Sequence, residues 1–137
     1  DYKNNYKNIN FNIDFNESFF ELKIDKSQIS RVFQNLIINS IHSIDEKGIP
    51  DGNILIKSFL INNYFNIIIL DNGSGLKYEK DEIVKPYFTT KKRKGGSGLG
   101  LAIVEKILFD HNADFSIENR NDDKEGAQVE IKFDLIQ

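Results

Sequence analysis

Residues 25–47 restrict the fold of this chain more than any other stretch. Apolar side chains recur at Ile29, Val32, Phe33, Leu36, Ile37, Ile41 and Ile44, with Ser40 in the same stripe, which is the period of one helix face. Asp25 and Ser27 offer N-caps, and Gly48 and Pro50 stop the run. A stripe that wide has to be buried, and the flanking residues indicate a sheet as its partner. Ile9, Phe11, Ile13 and Phe15, then Phe20, Leu22 and Ile24, alternate with polar residues. With Asn16-Glu17 between them as a turn, they predict a β-hairpin over residues 9–24. Residues 53–61 and 64–71 are β-rich runs joined at Asn62-Asn63, a hairpin signal. A second helix is predicted from about Gly98 to His111, followed by strands over residues 113–118 and 127–135. The order ββ-α-ββ-loop-α-ββ predicts an α/β (α+β) two-layer sandwich, with helices covering one face of a mixed, mainly antiparallel sheet.

Composition narrows the chemistry. The 137 residues are one domain's worth of chain, long enough to bury its own core. With no Cys and only His42 and His111, thiolate chemistry and disulfides are excluded and a zinc centre is disfavoured. A net charge of -3 gives no overall basic character to attract nucleic acid. The longest apolar runs, residues 67–70 and 99–104, fall far short of the roughly 18–20 residues of a membrane span. The first ten residues, rich in Asn and Lys and without an apolar stretch, are not expected to be a signal peptide. Since it contains no Met, it is expected to be a piece of a longer protein.

Three stretches carry chemistry. Asn35 and Asn39 lie four residues apart on the long helix, hence on one side, at the edge of the apolar stripe. Their amides either cap and bridge neighbouring backbone or face a ligand; Asn39 could give a neutral oxygen to a hydrated Mg²⁺. Asp71-Asn72-Gly73-Ser74-Gly75-Leu76 stands where a strand ends. It reads as an ordinary turn or as a place where backbone approaches a ligand closely. A carboxylate there accepts hydrogen bonds, so Asp71 suits the amino group of an adenine rather than a phosphate. Gly95-Gly96-Ser97-Gly98-Leu99-Gly100-Leu101 is a glycine-rich turn that runs into an amphipathic helix, with N–H groups and a helix dipole available to an anion. No Lys-Ser/Thr follows the glycines, as a Walker loop requires, and the turn comes too late in the chain for a Rossmann fingerprint. Between the last two stretches, residues 72–98 read as a long loop, with a short helix near 81–84 and the basic run Lys91-Lys92-Arg93-Lys94.

In this order the stretches resemble the Bergerat ATP-binding fold of histidine kinases, gyrase-type ATPases, Hsp90 and MutL. Gln34–Ser40 looks like the N box, Asp71–Gly75 the G1 box, Lys85–Lys91 the F box and Gly96–Leu101 the G2 box. The match runs from about residue 9 to 135, so residues 1–137 are read as one histidine kinase-type ATPase domain. It is most similar to the nitrogen-regulation type of sensor kinase. The resemblance implies ATP and Mg²⁺ as cofactors, with Asn39 ligating the metal and Asn35 assisting. Asp71 would accept from adenine, with Gly73, Gly75 and Leu76 closing under the base. Thr89, Thr90 and Lys91 would belong to a lid, while Gly96, Ser97, Gly98, Leu99, Gly100 and Leu101 would meet the phosphates. His42 stands one turn after Asn39, where many family members carry Lys or Arg facing the phosphates. Gyrase-type ATPases have a water-activating Glu at the position of Asn35, so its replacement favours phosphoryl transfer over hydrolysis.

The resemblance also implies partners. A phosphoacceptor His is expected on a separate dimerisation domain absent from this chain, since neither His42-Ser43 nor His111-Asn112 fits its motif. No residue of the chain is therefore expected to be a phosphoacceptor. A response regulator would act downstream, no nucleic acid is involved, and the location would be cytoplasmic, with membrane attachment of the parent protein left open. The rival readings are an anti-sigma-factor type serine kinase and a degenerate module that binds nucleotide, or only a partner, without transfer.

Overall fold

The computed structural model describes residues 9–15, 21–76 and 100–135. Helix α1, Lys26–Lys47, has its predicted limits. The Asp25 side chain accepts from the Gln28 N–H, and Gly48 closes the helix in the left-handed conformation (φ 72°). The alternative N-cap, Ser27, lies inside the helix. Strands β2 (Gly52–Ile61) and β3 (Tyr64–Asp71) form the expected antiparallel hairpin. Both turn residues have positive φ, 52° at Asn62 and 66° at Asn63, the conformation that a two-residue hairpin turn demands and that Asn tolerates. Helix α2 spans Gly100–Asp110, and β4 (Ala113–Asn119) pairs with β5 (Ala127–Asp134).

The predicted hairpin over residues 9–24 is corrected. Only β1, Ile9–Phe15, is a strand; residues 21–25 are not, and the turn at 16–17 lies outside the described residues. The partner of β1 is β2, to which it runs parallel after crossing over through α1. Period-two alternation marks a strand but does not name its partner, which is why the sequence pattern misled. Residues 21–25 instead lead into the α1 cap, where the Asp25 N–H donates to His111 Nε2 (3.0 Å) at the far end of α2. With Nε2 accepting, Nδ1–H faces the Ile107 carbonyl (2.8 Å), so one neutral imidazole stitches two helix ends together.

The sheet order is β1-β2-β3-β5-β4, antiparallel except for the β1–β2 pair. Register places Ile69, Val129 and Ile117 in one row across it, and Ile67, Ile131 and Phe115 in another. These rows pack with Val32, Leu36, Ile41 and Ile44 of α1 and Val104, Ile107 and Leu108 of α2 in a single core. The side chains between them, among them Lys57, Gln128, Glu130 and Lys132, belong to the other face. The layered α/β sandwich read from the sequence is the observed fold. Among the described residues, no helix is long and apolar enough to cross a membrane.

Candidate active site

Asp71 breaks the apolar pattern at the end of β3. Register sets it opposite Ile54, on the face that carries the core, and it is only 3% exposed. An ionised carboxylate in such a place needs strong hydrogen bonding. The Gly73 N–H (2.9 Å) and the Ala127 N–H (3.1 Å) both donate to Oδ1, and the Ser40 hydroxyl of α1 bonds to the same carboxylate. Burial still pushes the carboxyl above its ordinary value; the three hydrogen bonds and the Arg120 charge pull it back only part of the way. Oδ2 takes neither backbone bond. That oxygen is therefore not committed to the backbone and can serve a ligand that brings a donor.

The cavity beside Asp71 suits a flat apolar ligand with one polar edge. Leu36, Leu76, Leu101, Ile117 and Val129 supply hydrophobic wall, and Gly75 and Ala127 keep the space open. Asn39, Ser40, Ser43 and Asp71 supply the polar groups. The loop after β3 is fastened on several sides. The Ser74 N–H donates to Ser43 Oγ (3.1 Å), while the Asn72 side chain accepts from the Asn53 N–H (2.7 Å) and donates to the Asp51 carbonyl (2.9 Å). Gly73 sits so close to α1 that a Cβ there would collide with Ser43.

Of the residues singled out from the sequence, Asn39, Asp71, Gly75, Leu76 and Leu101 line this cavity. Asn35 is brought beside Gly100, the first residue of α2, where a Cβ would come within 3.9 Å of the Asn35 Oδ1. The Asn35 Nδ2 is buried with no hydrogen-bond partner among the described residues, an arrangement that costs about 1–3 kcal/mol where nothing else satisfies it. His42 is half-buried and is not among the lining residues. Thr89, Thr90, Lys91, Gly96, Ser97, Gly98 and Leu99 lie outside the described residues, as do the short helix expected near 81–84 and the basic run.

Four residues that position the site were given no role of their own from the sequence, although Ser40 ends the Gln34–Ser40 stretch. Ser40 and Ser43 are hidden inside the apolar stripe of α1, where a hydroxyl at a core position was the available signal. Ala127 acts through its backbone. Gly126 is the least expected: its φ is 137°, and a Cβ there would collide with the Asp71 carbonyl oxygen. Only glycine lets β5 approach closely enough for the Ala127 N–H to reach Oδ1.

No cluster of three or more His, Asp or Glu side chains that could hold a metal occurs among the described residues. The Asn39 amide at the cavity and the Asn35 amide beside α2 are neutral oxygen donors. That set fits Mg²⁺ that arrives on phosphates and keeps most of its waters, rather than a resident metal in a protein cage.

Comparison with known proteins gives this arrangement a context. Residues 24–137 match the family of histidine kinase-, DNA gyrase B- and HSP90-like ATPases. A Rickettsia typhi protein described as an NtrY-like sensor histidine kinase is 36% identical over 117 residues, 85% of this chain and 18% of that protein. The nitrogen regulation protein NtrY of Azorhizobium caulinodans is 33% identical over 118 residues, 82% of this chain and 14% of its own length. The chain therefore spans less than a fifth of either relative. Among solved structures, the nucleotide-free catalytic domain of histidine kinase ThkA superposes with a TM-score of 0.80 at 26% identity, covering 98% of this chain and 85% of that one. ThkA is also solved in complex with the response regulator protein TrrA, where the TM-score is 0.74 at 25% identity, over 98% of this chain and 37% of that one. The chain belongs to the histidine kinase-, DNA gyrase B- and HSP90-like ATPase family, as a domain of the sensor histidine kinase type.

Proposed function

We propose that this chain is the catalytic domain that binds ATP·Mg²⁺ and donates the γ-phosphoryl group to a histidine on the dimerisation domain of the same sensor kinase. The observation that carries the reading is Asp71, a carboxylate buried in the core-facing row with one oxygen committed to backbone N–H groups. Oδ2 accepts from the exocyclic amino group of adenine, and the apolar wall from Leu36 to Val129 sandwiches the base. Asn35 offers its buried N–H, which has no partner among the described residues, to a phosphate oxygen at the start of α2, where the helix dipole also favours negative charge. The amide oxygen of Asn39, assisted by Asn35, is a ligand for Mg²⁺. When bound, ATP·Mg²⁺ supplies the phosphoryl group and neutralises the charge that develops in its transfer.

Of the remaining residues in the resemblance, Gly96–Leu101 meet the phosphates, and Thr89, Thr90 and Lys91 cover them. The protein's role is to hold the nucleotide in line with an acceptor supplied by another domain. The acceptor domain and, downstream, a response regulator are its partners, and its place of work is the cytoplasm, where ATP is available. The test combines the chain with γ-labelled ATP and the dimerisation domain of the parent protein. Acid-labile, base-stable label on histidine is the expected result. Acid-stable label on serine would assign the domain to the serine-kinase reading, and intact binding with no transfer to the degenerate one.

A further inference from the structure

We infer that Asn119 and Arg120, two consecutive residues where β4 ends, clamp the two ends of the Asp71–Leu76 stretch beside the cavity and set nucleotide affinity without touching the nucleotide. The inference rests on the ATP reading above. Arg120 Nη1 donates to the carbonyl of Asp71 (3.1 Å), at the start of the loop. Its side chain is only 10% exposed, and Asp122 anchors the other nitrogens (Nε–Oδ1 3.1 Å, Nη2–Oδ2 2.7 Å). The Arg120 guanidinium in turn holds the Asp122 carboxyl below its ordinary value. At the other end, Asn119 Oδ1 accepts from the Leu76 N–H (2.6 Å), and Asn119 Nδ2 donates to the Leu76 carbonyl (3.2 Å). One side-chain amide thereby copies a rung of a β-ladder across 43 residues of sequence separation.

The seat of that amide explains a glycine as well. A Cβ on Gly75 would come within 2.7 Å of Asn119 Oδ1, and its φ of 77° disfavours any other residue. Asp71, Gly75 and Leu76 all line the cavity, so the clamp fixes the carboxylate that reads the base and the wall beside it. Neither Asn119 nor Arg120 lines it. Holding the loop in its binding geometry before the ligand arrives removes an ordering cost from the binding step.

The experiment uses the whole 137-residue chain and its Asn119→Ala and Asn119→Asp variants, with ADP titration by calorimetry and amide hydrogen exchange in the absence of nucleotide. Asn119→Ala should weaken ADP about five- to tenfold, the effect of losing one or two neutral hydrogen bonds. It should speed exchange at Leu76 by a similar factor, while Gly73 and Ala127, whose N–H groups bond to Asp71, keep wild-type rates. Asn119→Asp keeps the acceptor for the Leu76 N–H but turns a second acceptor on the Leu76 carbonyl, so it should stay nearer to alanine than to wild type. Wild-type affinity in the alanine variant, unchanged Leu76 exchange, or an aspartate variant that matches wild type in both would overturn the two-bond clamp. Failure of the wild-type chain to bind ADP would overturn the ATP reading instead, and the exchange rates would still decide whether Leu76 is clamped.

Discussion

Replacing Asp71 by Asn separates the cost of this residue from its use. The side chain keeps its size, and an amide oxygen can still accept from the Gly73 and Ala127 N–H groups. The second oxygen becomes an NH₂, which faces the adenine amino group donor to donor. Losing a hydrogen bond to a charged acceptor costs about 1.5–3 kcal/mol. ADP affinity should therefore drop about ten- to hundredfold, at about 1.4 kcal/mol per tenfold. GDP, which has no amino group at that edge, should lose less. Stability should move the other way. Burial raises the Asp71 carboxyl above its ordinary 3.8, so the folded state binds the proton more tightly than the unfolded chain. For a carboxyl raised on folding, stability is lost as the pH climbs from 3.8 through the raised value, and the penalty persists at neutral pH. The Asn variant escapes it and should be at least as stable as wild type by urea denaturation at neutral pH. ADP binding by the wild type should weaken on acidification, starting above the usual carboxylate range. A folded Asp71→Asn variant with unchanged ADP affinity would refute the assignment.

Gly126→Ala forces a Cβ into the Asp71 carbonyl at a φ of 137°, so it should destabilise the fold by about 1–3 kcal/mol in denaturant titration and abolish tight ADP binding. Retention of both would show that the β5 approach is not needed. Asn39→Ala should leave the helix intact, since Ala has the higher propensity, yet remove the Mg²⁺ enhancement of ATP binding seen when titrations with and without the metal are compared. Asp25→Ala removes the cap bond to Gln28 and should lower stability by about 1 kcal/mol, with ADP affinity unchanged. A loss of affinity there would mean that the far end of α1 communicates with the cavity.

Much of this architecture could be read from local pattern. The α1 stripe, its Asp25 and Gly48 ends and the Asn62-Asn63 turn are decided by neighbours in sequence, and each is found where the residues placed it. What stayed hidden depends on contacts between distant residues. The partner of β1 is chosen by a crossover that alternation cannot reveal. Asp71 and the two Asn residues stand out because polar groups at the edge of apolar runs are conspicuous. Gly126 and Asn119 act on β3 and its loop from more than 40 positions away, in a hairpin connection whose composition looks like any polar turn. Ser40 and Ser43 are concealed because a small hydroxyl fits an apolar stripe without disturbing its period.

The central claim is that the cavity beside Asp71 holds an adenine nucleotide. Nuclear magnetic resonance of the isotope-labelled chain during titration with ADP·Mg²⁺ tests it at the residues concerned. The account predicts saturable shifts of the Gly73, Leu76 and Ala127 amides and of the Leu36 and Val129 methyls, with GDP·Mg²⁺ producing them only at far higher concentration. Saturation that leaves these signals in place, or equal response to both nucleotides, would contradict it.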